Sequence, residues 1–328
     1  MKANHSSLKP FLEKVYEDHH RPDRLQSDPL EFVYRSHLPL EQEAIAVVAS
    51  QLAYGNVVQI RKSVQDFLGR ILRSRSGSVQ NWFLKLGTPS GLEEAKKDLS
   101  GFKHRFHSAE DLLLLAQLVA RSWRTHGSLG AHFLSHHAAT ASDITGALNR
   151  WLEDWRVWGK ELNPTVAQSR SFGHFLSAPS GGSCCKRWCM FLRWMGRKDE
   201  LDPGLWTAGS PLLQSPSSLT PLRPDQLIIP LDTHTGRIAK YLGLTRRKNL
   251  GWAAALEVTQ ALRACDVSDP VRYDFALARM GILDLCQKQF RVEICQQCQL
   301  LPVCIFAKSE MSRKSRSKIL AQPKPRRP

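Results

Sequence analysis

Apolar positions recur every three or four residues along most of the chain, the spacing of helices that lie against a core. Val57, Ile60, Val64, Phe67, Leu68 and Ile71 form one stripe, with Gly55-Asn56 at its start. Leu40 to Leu52 reads as the preceding helix, with Pro39 in its first turn, where a missing N–H is tolerated. Ser108, followed three residues later by Asp111, predicts a capped start for the apolar run Leu112–Trp123. Further helices are predicted over 143–155, 184–197, 249–264 and 270–283, the last opened by Asp269-Pro270. No series of alternating strands emerges, so the predicted class is all-α. Residues 158–182 and 198–229 read as loops: Asn163-Pro164 and Ala178-Pro-Ser-Gly-Gly-Ser183 punctuate the first, and prolines and serines the second.

The chain of 328 residues is 42% hydrophobic and 23% charged, enough for one large or two ordinary domains with a real core. It carries 46 Lys+Arg against 30 Asp+Glu, a net charge of +16. Residues 307–328 hold eight of those cations and one acid, Glu310, so +9 remains on the body. A basic body with a basic arm favours a polyanion, nucleic acid first; a soluble protein of high pI without such a partner is the alternative. The arm has too few apolar residues to pack and is expected to be disordered. No run of 18 apolar residues exists, and the N-terminus lacks the apolar stretch of a signal peptide, so no membrane partner is expected. The expected place is the cytosol, near the nucleoid, where eight cysteines would stay reduced.

Four of those cysteines, Cys286, Cys295, Cys298 and Cys304, fall in a C-x8-C-x2-C-x5-C pattern. Four thiolates suit an iron–sulfur cluster or zinc. A structural zinc site usually pairs two C-x2-C knuckles, and here there is one, flanked at short range by single cysteines, which points to a [4Fe–4S] cubane before zinc. Lys288 and Arg291 nearby could meet a phosphate or simply face solvent. His19-His20 and His136-His137 are isolated pairs that mark no second metal site. Trp151, Trp155 and Trp158 at helical spacing suggest core, as do Trp188 and Trp194.

The cysteine pattern resembles the C-x6-C-x2-C-x5-C loop of the endonuclease III and adenine-glycosylase branch of the helix-hairpin-helix DNA glycosylases. Leu231-Asp-Thr-His-Thr-Gly-Arg-Ile238 is similar to that family's V-D-T-H-x-x-R-V segment, and Ser50-Gln51 to its L-L-S-x-Q element. Cys185-Lys-Arg187, Phe191-Leu-Arg-Trp-Met195 and Ile229-Pro-Leu-Asp-Thr-His234 resemble an uncharacterised bacterial family still more closely, itself similar to a divergent member of the superfamily. The family's hairpin, L-P-G-V-G-x-K, corresponds here to Pro179-Ser-Gly-Gly-Ser-Cys-Cys-Lys186, where Gly181 and Gly182 can still make the turn. The gap from Lys186 to Asp232 exceeds the family's, which an inserted loop at 198–229 would explain.

The resemblance implies a two-lobed helix-hairpin-helix fold, with a helical barrel over 40–180, a hairpin helix over 181–197, and residues 1–39 plus 198–306 as the other lobe. It implies a monomeric DNA-repair glycosylase, with or without AP-lyase activity, on DNA before RNA. Asp232 would stabilise the oxocarbenium ion, or only cap a helix. Lys186 would attack C1′, or only hold a phosphate. Gln51 would fill the stack left by a flipped base, and Arg187, Gly181, Gly182, Lys288 and Arg291 would meet the DNA backbone. The alternative from another class is a non-catalytic nucleic-acid binder, or a redox-responsive regulator, that keeps the cluster.

Overall fold

The computed structural model describes residues 5–213 and 219–320, the last helix with side chains as far as Arg313. The described chain is all-α. Its helices are α1 (Lys9–His19), α2 (Pro39–Gln51), α3 (Val57–Arg73), α4 (Val79–Lys85), α5 (Pro89–Asp98), α6 (Ala109–His126), α7 (Leu129–Ser135), α8 (Thr145–Leu162), α9 (Pro164–Ala167), α10 (Arg170–Phe175) and α11 (Lys186–Gly196). Then follow α12 (Thr233–Tyr241), α13 (Trp252–Arg263), α14 (Asp274–Ile282), α15 (Val292–Cys295) and α16 (Ile305–Leu320). Between α5 and α6 a two-residue antiparallel hairpin, β1 (Lys103–His104) and β2 (His107–Ser108), makes the one sheet among the described residues.

The caps explain most of the boundaries. Asn56 opens α3 by accepting from the Val58 N–H, and Ser108 and Asp111 close a reciprocal capping box on α6. The segment 158–182 is not a loop: α8 runs on to Leu162, and α9 and α10 follow. Asn163 caps α9 through the Val166 N–H, and Ser169 caps α10, so the Asn-Pro pair starts a helix instead of ending one. The Asp269-Pro270 expectation also fails. Residues 270–273 make a turn, Asp266 takes the Ser268 and Asp269 N–H groups, and α14 begins at Asp274. Residues 305–320 are helical, not disordered. Phe306 stacks on Tyr241 at 4.1 Å and Ala307 is buried, which anchors the first turn of a segment rich in good helix formers. The rest of the expected tail, 321–328, lies outside the described residues.

Contacts divide the chain into two compact units, Met1–His20 with Leu231–Pro328, and Arg21–Pro230. The second unit contains the whole predicted 40–197 lobe, and also residues 21–39 and 198–230. Pro29–Arg35 is a 3-10 turn whose Leu30, Phe32 and Val33 are buried against α2. The aperiodic 198–213 segment is tied down by buried Trp206 and Asp202. Asp202 receives the guanidinium groups of Arg193 and Arg197 at 3.1 and 2.9 Å.

At the centre of this unit sits Glu43 of α2, fully buried. Its Oε2 accepts from the Leu129 N–H at 2.7 Å and Trp123 Nε1 at 2.9 Å, and its Oε1 from the Gly130 N–H at 2.8 Å and Trp206 Nε1 at 2.7 Å. Burial pushes the carboxyl up to about 7, while the four N–H groups pull the other way. Gly130 has no side chain because a Cβ would lie 2.7 Å from the Trp206 ring. Trp151, Trp155, Trp188 and Trp194 are buried as predicted, and Trp158 is half-buried beneath the Arg121 guanidinium.

The first unit packs α1 and α12 on α14. Tyr273 anchors it by donating to Glu13 at 2.6 Å.

Candidate functional site

In the first unit, all four clustered cysteines line one cavity, together with Tyr241, Leu301 and Phe306. The chain reaches it by a short route: the Cys286 N–H returns to the Met280 carbonyl at the end of α14, α15 delivers Cys295, and a 3-10 turn precedes Cys304. Burial pushes the Cys286 thiol up to about 11, partly offset by the nearby Arg237 guanidinium. Cys298 and Cys304 are raised for the same reason, and the other thiols of the group push in the same direction. A cation in the cavity would reverse that, because the thiolate is the ligand. The Ala307 N–H already points at Cys304 Sγ from 3.4 Å. Four soft donors around one cavity fit a thiolate-bound metal centre. Lys288 and Arg291 are exposed beside it. The Lys288 carbonyl accepts from the Tyr241 hydroxyl at 3.1 Å, and Arg291 precedes α15.

Helix α12 links this cavity to Asp232. Asp232 is its N-cap: Oδ1 accepts from the His234 and Thr235 N–H groups, both at 2.8 Å, while Oδ2 has no hydrogen bond among the described residues. One turn on, Arg237 Nη2 donates to the Cys286 carbonyl at 2.6 Å. Gly236 and Gly281 allow the close packing here, since a Cβ would meet Leu250 at 2.3 Å and His234 at 2.5 Å respectively.

In the second unit, Gln51, Lys186 and Arg187 come together. Lys186 Nζ donates to the Ala53 carbonyl at 3.2 Å, and Arg187 Nη1 to the Gln51 carbonyl at 2.9 Å. The Gln51 side chain is fully buried and neither amide atom has a hydrogen-bond partner among the described residues. Around Tyr54 lie the rings of Phe106 at 5.3 Å and His174 at 5.0 Å, with the guanidinium groups of Arg187 and Arg105 at 5.5 and 5.6 Å. Phe106, at the hairpin tip, is 50% exposed. Burial, reinforced by Arg187, lowers His107 to about 4 and His174 to about 3, so both rings are neutral at pH 7. Burial lowers Arg187 to about 10, which leaves it charged. Gly181 and Gly182 form an exposed 3-10 turn, with Gly182 at φ 74°, open enough that a Cβ at either would meet nothing within 4 Å.

Residues 28–283 match the model of a family described as proteins of unknown function, DUF2400. The chain belongs to that family. Membership in DUF2400 corrects the resemblance to the helix-hairpin-helix DNA glycosylases: the segments around Gln51, Lys186 and Asp232 that carried it lie inside the DUF2400 match, and no glycosylase family accounts for them. The four cysteines lie just beyond the matched segment. No curated protein and no solved structure matches the chain.

The structure adds residues that the sequence reading passed over. Tyr54, Phe106, His107 and His174 come from three distant segments. The available signal was an aromatic residue between an arginine and histidines in a short turn, His104-Arg-Phe-His107. His132 and Asp154 were also missed: with His136 they form the group described below, and the H-x3-H spacing at 132 and 136 was the signal.

Proposed function

We propose that this DUF2400 protein binds nucleic acid, DNA before RNA, and that its cysteine loop holds an iron–sulfur cluster. The group around Tyr54 carries the nucleic-acid reading. Phe106, half exposed beside Tyr54 and the neutral rings of His107 and His174, with Arg105 next to it in the hairpin and Lys186 reaching the Ala53 carbonyl next to Tyr54, suits an unstacked base with its phosphates, and the +16 charge supplies the long-range attraction. The cysteine loop has one C-x2-C knuckle, Cys295 and Cys298, flanked at short range by Cys286 and Cys304, where a structural zinc site usually pairs two knuckles. That spacing favours a cubane, whose corners bind one thiolate each.

The test is binding of single-stranded and duplex oligonucleotides, DNA and RNA, across a salt series. Phe106→Ala is expected to weaken single-strand affinity by about 10-fold, as base–aromatic stacking is worth about 1–3 kcal/mol. Lys186→Gln should flatten the log K against log [salt] slope by about 1. Wild-type affinity that ignores both salt and Phe106 would end the reading; RNA bound more tightly than DNA would change the polymer.

The free Oδ2 of Asp232 favours a second reading, excision of an altered base, in which that carboxylate faces the sugar as positive charge develops at C1′. Asp232→Asn keeps the Oδ1 cap and removes the charge. Base release from damaged duplexes should then fall by about 100-fold or more while binding and thermal stability hold. A wild-type protein that binds such duplexes and releases no base would eliminate excision.

A further inference from the structure

His132 on α7, His136 at its C-terminal end and Asp154 on α8 converge within the second unit. The Nε2 atoms of His132 and His136 lie 3.1 and 2.8 Å from Asp154 Oδ2. His132 is fully buried, Asp154 is 40% exposed, and the three ligating atoms lie within 4.8 Å of one another. The His132 ring is stacked by His126 at 4.2 Å and by Trp158 at 4.8 Å, so its orientation is fixed.

We propose that His132 Nε2, His136 Nε2 and Asp154 Oδ2 form a three-ligand site for a zinc-class divalent cation, with the remaining position open to water on the Asp154 side. Two imidazoles and one carboxylate are a ligand set that zinc uses at about 2.0–2.2 Å. Around a tetrahedral ion such ligands stand roughly 3.4 Å apart; the two His–Asp spacings, 3.1 and 2.8 Å, are already near this, and the two imidazole nitrogens, within 4.8 Å of each other, would draw together around the ion. Without metal, Nε2–H of each histidine takes the ion's place as donor to Asp154. Binding moves each proton from Nε2 to Nδ1 and leaves both rings neutral, so the site gains an ion without needing an oxidant, a base or any other reagent.

The neighbours of His132 Nδ1 give this site a signature. Ser122 Oγ lies 3.0 Å away; its hydroxyl can donate to the Leu118 carbonyl at 3.0 Å and its oxygen accepts the Trp155 Nε1–H at 3.1 Å, which leaves the second lone pair to accept Nδ1–H. That tautomer presents the Nε2 lone pair to a metal. Trp151 Nε1–H, 3.1 Å from the same Nδ1, is a donor only and favours the opposite tautomer. Ser122 therefore supports metal binding and Trp151 opposes it, as outer-shell partners of metal-bound histidines do by setting the tautomer.

The test is titration of the full chain, after iron–sulfur reconstitution so that the cysteines are occupied, with Zn²⁺ and separately with Co²⁺. The expected result is one ion bound beyond the cysteine site, with a cobalt spectrum lacking thiolate charge transfer and a Tm that rises with metal. His136→Gln and Asp154→Asn, both at partly exposed positions, should each weaken binding by more than about 100-fold. Trp151→Phe should tighten it and Ser122→Ala weaken it, each by about 10-fold. Equal affinity in wild type, His136→Gln and Asp154→Asn, or no ion bound by the wild type, would overturn the site and leave a hydrogen-bonded clamp between α7 and α8. In that case Asp154→Asn would lower Tm to the same extent with and without zinc. If reconstitution yields no cluster, the same titration on Cys298→Ser protein keeps the two sites apart.

Discussion

Cys298→Ser is expected to strip the protein of its iron and to unfold the chain from about residue 284 to 304, leaving the helices of the first unit in place. The reason is the poverty of apolar contacts in that segment. Of residues 284–304 only Leu300 is buried, so the hydrophobic effect cannot hold the loop in one shape. Four half-buried thiols around one cavity can do so only with a cation between them, and metal binding then becomes folding free energy for the loop. The helices nearby have support of their own: α1 and α12 pack on α14, and Tyr273 bonds Glu13. Anaerobically purified wild type should be brown, absorb broadly near about 400 nm and carry about four irons per chain. Limited proteolysis of the variant should then cut within 284–304 and spare the rest. A colourless wild type with one zinc would transfer the loop to zinc, and a variant with unchanged iron would remove the thiol from the ligand set.

The cysteine loop was legible in the sequence because its four cysteines are close in sequence, and spacing alone brings four thiols to one place. The amphipathic helices were legible for the same reason, since a 3.6-residue period is a local property. What escaped were features set by chain reversal. Asn163-Pro164 carries the same letters whether it ends one helix or begins the next. Only the cap from Asn163 to the Val166 N–H decides. Phe106 meets Tyr54 and His174 across a fold that no window of residues contains. His136 was visible beside His137, but the useful partner was His132, one turn back, and Asp154 on the next helix. Gln51 and Lys186 were singled out as residues and do come together, yet through backbone carbonyls that sequence motifs do not describe.

Glu43→Ala should be the most destabilising single change in the second unit. The carboxylate ties four segments at one point: α2 itself, α6 through Trp123, the first turn of α7 through Leu129 and Gly130, and the 198–213 segment through Trp206. Removing it leaves four N–H donors buried with no acceptor. An unsatisfied buried donor costs about 1–3 kcal/mol, and some of these four could find water in the space vacated. Even half of that sum, about 2–6 kcal/mol, is a large part of the 5–15 kcal/mol that separates a typical domain from its unfolded state. Glu43→Gln separates the contributions. Its amide oxygen can still serve two donors, but its NH₂ would face the other two, so about half the penalty should remain. Chemical denaturation of the three proteins, followed by tryptophan emission, gives the order: wild type most stable, then Gln, then Ala. Trp206→Phe should fall near the Gln variant, because it withdraws one donor and leaves the carboxylate three. Equal midpoints for wild type and Glu43→Ala would mean that Trp123, Trp206 and the α7 turn hold together by apolar packing alone, with the carboxylate incidental to the core.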